Sequence, residues 1–545
     1  MPRLDPLGAM ACAGRPLRLA AVALAALAGA SELQAQAVAC LPIRDIQVSG
    51  VQSLPPAAVE QSLAPLEGRC LGIAEFNEAL KTVTDQYVEA GLITSRVYLP
   101  EQDLSDGILR IDVIEGRIER VEFNGAPDPL WERFTFPGIR GKVANLREIE
   151  QGLDNIRSMP SFYGTRMALD AGAAVGSSVL QVEAVADPKP WRLSVSTDNY
   201  GFADNGEFNP TLSLGWDNLI GINDRWDFSY SRAVDQTPFA IGRSGNSSEQ
   251  AGFSVSVPYG NWAFSFNQSW SAYDTVLPGI VAPIDADGDS WETVLGARRL
   301  LTRDQDSMTH LRFDLTRNEK RNNVAGVRID ASSRVVTAIG AELSHQRRFM
   351  GGQLTGVARI EQGVKLFGAE DAGAQPDRQP DAQYSLISLR GNYDRSWQLD
   401  HGPGTALRWI SAAELQYSKD RLYGDQRFQL GGNSTVRASK VLLAQGSSGI
   451  FWRNELWYYF SGATSDTMLS EWFGQPVVYA GLDAGRVFSQ SDLDVFAGTA
   501  VGAVAGLRLV GGRLSLDLGY ADMVSVSDGL QKPDGHVRVA VGLSF

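Results

Sequence analysis

Side chains able to carry out bond chemistry are sparse in this 545-residue chain. His310, His345, His401 and His536 are its only histidines, and they lie too far apart in sequence to suggest a metal-binding set. No serine or cysteine nucleophile falls with a histidine base and an orienting carboxylate on one expected rim. An enzyme is therefore not expected, and no catalytic residue, metal or cofactor is assigned. Asp285-Ala286-Asp287-Gly288-Asp289 has part of a calcium-loop spacing but lacks the full order and the distal glutamate. It is expected to be a solvated acidic loop. Trp262, Phe264, Phe266 and Trp270 could form a carbohydrate platform, although outward aromatics at a bilayer interface fit them better. The remaining chemistry is that of Cys12, Cys40 and Cys70.

The N-terminus decides what those cysteines do. Arg3, Arg15 and Arg18 lead into an apolar run, Leu19 to Ala30, and Ala35-Gln36-Ala37 forms a small-x-small cleavage site. The apolar stretch is too short to cross about 30 Å of hydrocarbon, so residues 1–37 read as a secretory signal peptide. A lipoprotein reading at Cys40 is the weaker alternative, because Ala37 stands where a larger aliphatic is usual. Cleavage removes Cys12 and leaves Cys40 and Cys70 as an even pair in an oxidising compartment, where a disulfide is the default. Closing the loop of about 30 residues between Cys40 and Cys70 is worth roughly 3–4 kcal/mol in the chain-entropy treatment.

Composition narrows the class further. A formal charge of −14 argues against a general nucleic-acid binder. No mature segment carries about 18 consecutive apolar residues, which excludes an ordinary helical membrane protein. The 56 glycines and 49 aromatic residues suit a large β protein with many turns.

Two regions must position these residues, joined near Asp187-Pro188-Lys189-Pro190. Residues 40–187 alternate short strands and helices. A strand at Asp45–Ser49, a helix from Pro55-Pro56 to Leu66, a helix over 73–90 stopped by Gly91, and strands Ser95–Leu99 and Gly107–Glu115 give a β-α-α-β-β order. The order repeats: strand Arg117–Phe123, helices near Asp128–Phe134 and over Leu146–Ser158, strands Arg166–Ala171 and Ser178–Ala186. Residues 190–545 read almost entirely as strands. Leu514, Leu516, Leu518 and Tyr520 share one face, with Arg513, Ser515, Asp517 and Gly519 on the other. Val537, Val539, Val541 and Leu543 do the same in the last strand, which ends on Phe545. The polar face carries charge in strand after strand while the other is bulky and aromatic, as in a barrel with lipid outside and a polar lumen. Roughly 16 such segments fit the length, with Trp191–Asn199 closing on the last. Pro258–Asn261, Phe349–Gly352 and Val510–Gly512 are short connections. Ser271–Ser290, Glu319–Ser332, Leu366–Gln383 and Asp420–Gln445 are long ones on the opposite side. Ser461–Gln475 is longer than a short-side turn should be.

Several motifs carry a specific resemblance. Cys70-Leu71-Gly72-Ile73-Ala74-Glu75, and Tyr98-Leu99-Pro100-Glu101-Gln102-Asp103-Leu104-Ser105-Asp106-Gly107 running into Val113-Ile114-Glu115-Gly116-Arg117, resemble a first polypeptide-transport-associated (POTRA) domain. The segment from Asn145-Leu146-Arg147-Glu148-Ile149 to Met159-Pro160-Ser161 resembles a second. Phe428-Gln429-Leu430-Gly431-Gly432 with Val436-Arg437 resembles a long sixth loop, and Gly481-Leu482-Asp483-Ala484-Gly485 a D-x-G strand motif. In this order they resemble the haemolysin secretion/activation family of two-partner secretion translocators.

The resemblance implies a layout: signal peptide 1–37, POTRA domains 38–115 and 116–188, and an outer-membrane β-barrel of about 16 strands over 189–545, with its sixth extracellular loop at about 420–446. It implies that periplasmic POTRA domains bind an unfolded partner exoprotein of the haemolysin, adhesin or contact-dependent inhibition toxin class. The partner then passes through the barrel without nucleotide hydrolysis. It also implies that Arg437 enters the lumen and pairs with Asp483. Strand parity places Tyr479, Gly481, Asp483 and Gly485 on the lumen face. Two departures stand out. Ala438-Ser439 follows Arg437 instead of glycine and an aromatic, and only Val38 and Ala39 precede Cys40 after cleavage, so no N-terminal plug helix is expected. Phe545 fits the C-terminal signal read by the barrel-assembly machinery. Expected partners are thus the exoprotein, outer-membrane lipid and that machinery, with no nucleic acid. The alternatives are an outer-membrane insertase or assembly factor and, more remotely, a passive porin.

Overall fold

The computed structural model describes residues 40–184, 189–202, 206–234, 246–277, 279, 282–371, 380–400, 405–460, 467–489, 497–527 and 529–545, with backbone only for 467–469. The expected signal peptide over 1–37, Val38 and Ala39, Asp187-Pro188 and His401 lie outside them.

The first α+β unit packs helices Pro56–Leu63 and Ile73–Glu89 on a three-stranded sheet. Its central strand Ile108–Ile114 runs parallel to Asp45–Ser49 and antiparallel to Arg96–Tyr98. In the long helix Ala79, Val83 and Tyr87 recur every four residues and are fully buried against Leu109 and Ile111. The Gly72 N–H donates to Glu75 Oε2 at 2.7 Å, a donor satisfied where the helix has no intrahelical acceptor. A further pair, Leu41–Ile43 with Arg69–Leu71, carries the Cys40–Cys70 disulfide, whose loop spans 30 residues. The sequence pattern misses this pair because three residues are too few to show a period.

The second unit repeats the plan. Helices Pro129–Thr135 and Leu146–Arg157 cover a sheet in which Ser177–Glu183 lies parallel to Arg117–Phe123 and antiparallel to Arg166–Ala171. The two units share a tight joint. Leu146 N–H donates to the Gly91 carbonyl at 2.8 Å, and Ala144 N–H to the Gly116 carbonyl at 2.9 Å. Beside the joint, the buried Glu115 accepts from Gln52 N–H (2.9 Å), Ser53 N–H (2.6 Å), Ser53 Oγ (2.8 Å) and Tyr87 Oη (2.9 Å). Burial works to raise its pKa, but these donors outweigh it and hold the carboxyl below the ordinary glutamate value.

The rest is one closed antiparallel barrel of 16 long strands. The first, Trp191–Asp198, pairs with the last, His536–Ser544, over Asp198↔Ala540 to Ser194↔Ser544, so no edge is left. Leu212, Leu214, Phe228, Leu518, Tyr520 and Val537 are exposed on the outer face. On the inner face charges pair with one another: Arg359 bonds Asp314 at 2.6 and 2.7 Å and Glu361 at 2.6 Å. No helix is long and apolar enough to cross a membrane; the crossing elements here are strands.

Some expected loops are strand instead. The fifth and sixth strands, Trp262–Leu277 and Ile284–Arg303, continue through most of Ser271–Ser290, and the Asp285–Asp289 run pairs in register with 272–276, its residues 286–289 also with 321–324. The acidic run is therefore not a loop. Asp287 accepts from Asn323 at 2.7 Å, and no metal-binding group forms among the described residues. The seventh strand, Ser307–Val324, likewise runs through the start of Glu319–Ser332, with Val327–Arg328 folding back on its end. Alternating hydropathy stops where the bilayer ends, but backbone pairing does not, so the sequence pattern cuts these strands short. The long connection at 461–474 contains a helix, Thr467–Phe473.

The second α+β unit is fastened to the short-turn side of the barrel. Trp131 and Thr135 bond the Asn223 side chain in the first turn. Ser161 donates through N–H and Oγ to Asp217 at 2.9 and 2.7 Å. Asn155 donates to the Gly260 carbonyl at 2.8 Å, and Arg303 bonds Asp154 at 2.5 Å.

Candidate functional site

The candidate site lies where the segment between the eleventh strand, Ala406–Tyr417, and the twelfth, Gly449–Tyr459, folds back into the lumen. Phe428–Leu430 pairs with Ala444–Gly446 as a short hairpin. Its tip carries Val436 and Arg437, with Val436 fully buried. Gly431 and Gly432 have φ of +118° and +77°, a region that other residues enter at a cost. A Cβ on Gly432 would also meet the Phe202 ring at 2.6 Å. An aromatic from the first outer connection thus packs beside the tip.

Arg437 and Asp483 are brought together. Arg437 is 3% exposed and Asp483 1%. The guanidinium forks onto the carboxylate, Nε to Oδ2 at 2.8 Å and Nη2 to Oδ1 at 2.7 Å, and the Arg437 backbone N–H adds a third bond at 3.0 Å. This bidentate geometry is open to arginine and not to lysine. The strand motif makes room for it. On the thirteenth strand, Gln475–Val487, a Cβ on Gly481 would lie 2.7 Å from Arg437 Nη2, and one on Gly485 2.3 Å from Leu430 Cδ1. Both glycines are places where the inserted loop rests on the wall.

Several members of the site were not legible in the sequence. The remaining Arg437 nitrogen, Nη1, bonds Glu455 on the twelfth strand. Glu455 also holds Arg508 of the fourteenth strand, Gly498–Val510, and the Trp457 indole. Arg508 bonds Asp517 at 2.8 Å and lies 3.7 Å from the Tyr479 ring centroid, while Tyr479 donates to Asp517 at 2.7 Å. From the last strand, Arg538 donates to the Arg437 carbonyl at 3.3 Å and to Asn433 at 2.6 Å, and stacks 3.9 Å from the Tyr200 ring. Arg453 caps the Asn433 and Ser434 carbonyls, each at 3.0 Å. Alternation assigns Arg453, Glu455, Arg508, Asp517 and Arg538 to the lumen face. Only the register, Arg453 opposite Asp483 and Arg508 opposite Asp517, makes them neighbours.

Apolar contact adds to the charges. Phe428, Leu430, Val436 and Ala438 pack on Val487, Ala500 and Val504 of the wall. Ala438 sits where its neighbour Gly502 leaves space, since a Cβ there would fall 2.5 Å from that of Ala438. Ser439 closes the tip, its N–H to the Val436 carbonyl at 3.2 Å and its Oγ to the Val441 carbonyl at 2.8 Å. Alanine and serine therefore make a compact buried turn here. At the C-terminus, Phe545 is exposed on the outer face, with its N–H bonded to the Leu193 carbonyl at 2.9 Å.

The arrangement is a closed barrel whose lumen holds one loop by a buried ion pair, above two α+β units. Comparison with known proteins agrees at each level. The family described as haemolysin secretion/activation protein ShlB/FhaC/HecB matches residues 176–509. A ShlB-type POTRA domain matches 41–116, and a further POTRA domain 117–164. The outer membrane transporter CdiB of Escherichia coli is 32% identical, covering 87% of this chain and 78% of that protein. The hemolysin transporter protein ShlB of Serratia marcescens is 28% identical, covering 84% and 77%. The solved structure of CdiB from Escherichia coli superposes with a TM-score of 0.84 at 29% identity, covering 96% of this chain and 93% of that one. The chain belongs to the haemolysin secretion/activation protein (ShlB/FhaC/HecB) family, the two-partner secretion transporters of the outer membrane.

Proposed function

We propose that the POTRA units capture one unfolded exoprotein in the periplasm, that it crosses through the barrel lumen, and that the Arg437 loop occupies the lumen at rest. The observation that carries this is the buried fork of Arg437 on Asp483 inside a closed barrel. Such a contact can form and break with no bond chemistry, so no nucleotide or cofactor is required. Removing one partner of a buried ion pair costs about 3–5 kcal/mol, enough to shift the loop's occupancy decisively.

Open sheet edges suit the capture step. In the second unit Arg166–Ala171 is an edge strand paired on one side only, and in the first Arg96–Tyr98 is another. An extended client can add to such an edge through main-chain hydrogen bonds, which accept many sequences. Folding outside the cell then gives direction. The cargo belongs to the haemolysin, adhesin or contact-dependent inhibition toxin class.

The test is a comparative proteome of culture supernatant and outer membrane with and without this gene. One large protein should vanish from surface and medium while other barrels persist. A joint fall of many barrel proteins would overturn the reading in favour of an insertase.

A further inference from the structure

Where the second POTRA unit meets the barrel, a cavity of about 250 Å³ remains. Phe136 and Pro137 line it from the POTRA side, Tyr259 and Trp262 from the second short turn of the barrel. Two cations complete it, Lys142 from the POTRA unit and Arg299 from the sixth strand.

Arg299 is on the unexpected face for a charge. Along its strand Trp291 and Leu295 are exposed outward, whereas Glu292 and Val294 line the lumen. Arg299 shares the parity of the outward set. It stands opposite Trp262 in the sheet, its guanidinium 5.3 Å from the indole centroid. A cation on the lipid-facing wall of a barrel is costly in the hydrocarbon and favourable only among headgroups. Trp262 and Tyr259, at the turn, mark that level as the interface, where amphipathic rings concentrate. Among the described residues neither Arg299 nor Lys142 forms an ion pair with a carboxylate, although Glu148 also lines the cavity. The site thus offers two cations outside any ion pair, a net positive charge after Glu148, and two aromatic faces to whatever enters from the membrane side. Its volume suits one small headgroup.

We propose that this cavity binds the phosphate of a glycerophospholipid from the periplasmic leaflet. Arg299 and Lys142 take the phosphate oxygens, and Trp262 and Tyr259 pack on the glycerol end. One lipid then bridges the POTRA unit and the barrel, adding to the direct bonds at Asn223, Asp217 and Gly260. The inference does not depend on the export reading.

The test uses the full mature chain purified in detergent, with phosphatidylglycerol as the probe and native mass spectrometry as the readout. The wild type should retain one lipid per chain. The double variant Arg299→Gln/Lys142→Gln should retain at least about tenfold less, since each cation near a phosphate surface contributes. Lys532→Gln, on the last outer connection, should retain as much as the wild type. Heat-modifiable gel mobility verifies that each barrel is folded, and the single variant Lys142→Gln, outside the barrel, should lose part of the retention if the double variant fails to fold. Retention by the double or the single variant equal to the wild type overturns the proposal. So does displacement of the lipid by an equal concentration of inorganic phosphate, which would make the site one for a free anion.

Discussion

Arg437 is held by more groups than a single partner. Its guanidinium contacts Asp483 and Glu455, its N–H contacts Asp483, and its carbonyl accepts from Arg538. Arg437→Ala leaves two buried carboxylates short of a cation, a cost of about 3–5 kcal/mol to the docked loop. Export should fall at least about tenfold, the change that 1.4 kcal/mol produces, while heat-modifiable mobility still reports an assembled barrel. Undiminished export from this variant would remove the role assigned to the pair. Arg437→Lys should recover little, because an ammonium cannot reproduce the two-pronged contact. Gly481→Val should resemble Arg437→Ala, since its side chain would occupy the space of Nη2; larger single-channel conductance in planar bilayers is the expected readout. At this scale the sequence showed Asp483 facing the lumen through parity, and the Arg437 partnership through family resemblance. Glu455, Arg508 and Arg538 escaped notice because their meeting depends on strand register, which one sequence does not encode locally.

Among the elements, the first POTRA unit holds both a buried carboxylate and a disulfide. Glu115 ties the 52–53 loop and the Tyr87 helix to the end of strand Ile108–Ile114. Its pKa is lowered by those donors, so the stabilisation is fully present above the ordinary glutamate value and is lost as pH falls through the lower folded value. Calorimetry of the full chain should show the POTRA transition falling steeply below about pH 4. Glu115→Gln should lower that transition at neutral pH by about 1–3 kcal/mol and flatten its acid dependence. An unchanged acid limb would show that other carboxylates dominate. Reducing Cys40–Cys70 should cost the same unit roughly 3–4 kcal/mol, for a loop of 30 residues, with the barrel transition unmoved. Most elements were legible here. Asp45–Ser49 and Arg166–Ala171 alternate and appear as read, and Arg117–Phe123 appears as read although a register shift after Ile118 breaks its alternation. The extended ends of the fifth to seventh strands were not legible, since water on both faces removes the alternation that marks a strand.

The whole molecule joins a fastened POTRA unit to a barrel with an occupied lumen. The clamp at Arg303 and Asp154 is partly exposed, so Arg303→Ala should loosen the joint modestly. Hydrogen exchange in helix Leu146–Arg157 should rise in that variant with the barrel strands unaffected; equal protection would show that Trp131, Ser161 and Asn155 suffice. The overall plan was readable from the order of parts: two repeated α+β units, 16 alternating segments, and the longest connection between the eleventh and twelfth. The docking of POTRA on barrel was not, because it rests on single polar contacts between distant residues. The central claim is that the exoprotein crosses inside the barrel. Ser344 faces the lumen opposite His310, and its neighbour Leu343 is exposed on the outer wall. A photo-crosslinking residue at each position, with the exoprotein found by the proteome stalled in transit, tests passage directly. The account predicts crosslinks from position 344 and none from 343. Continued export with no crosslink at 344, or equal crosslinking at 343, would contradict it.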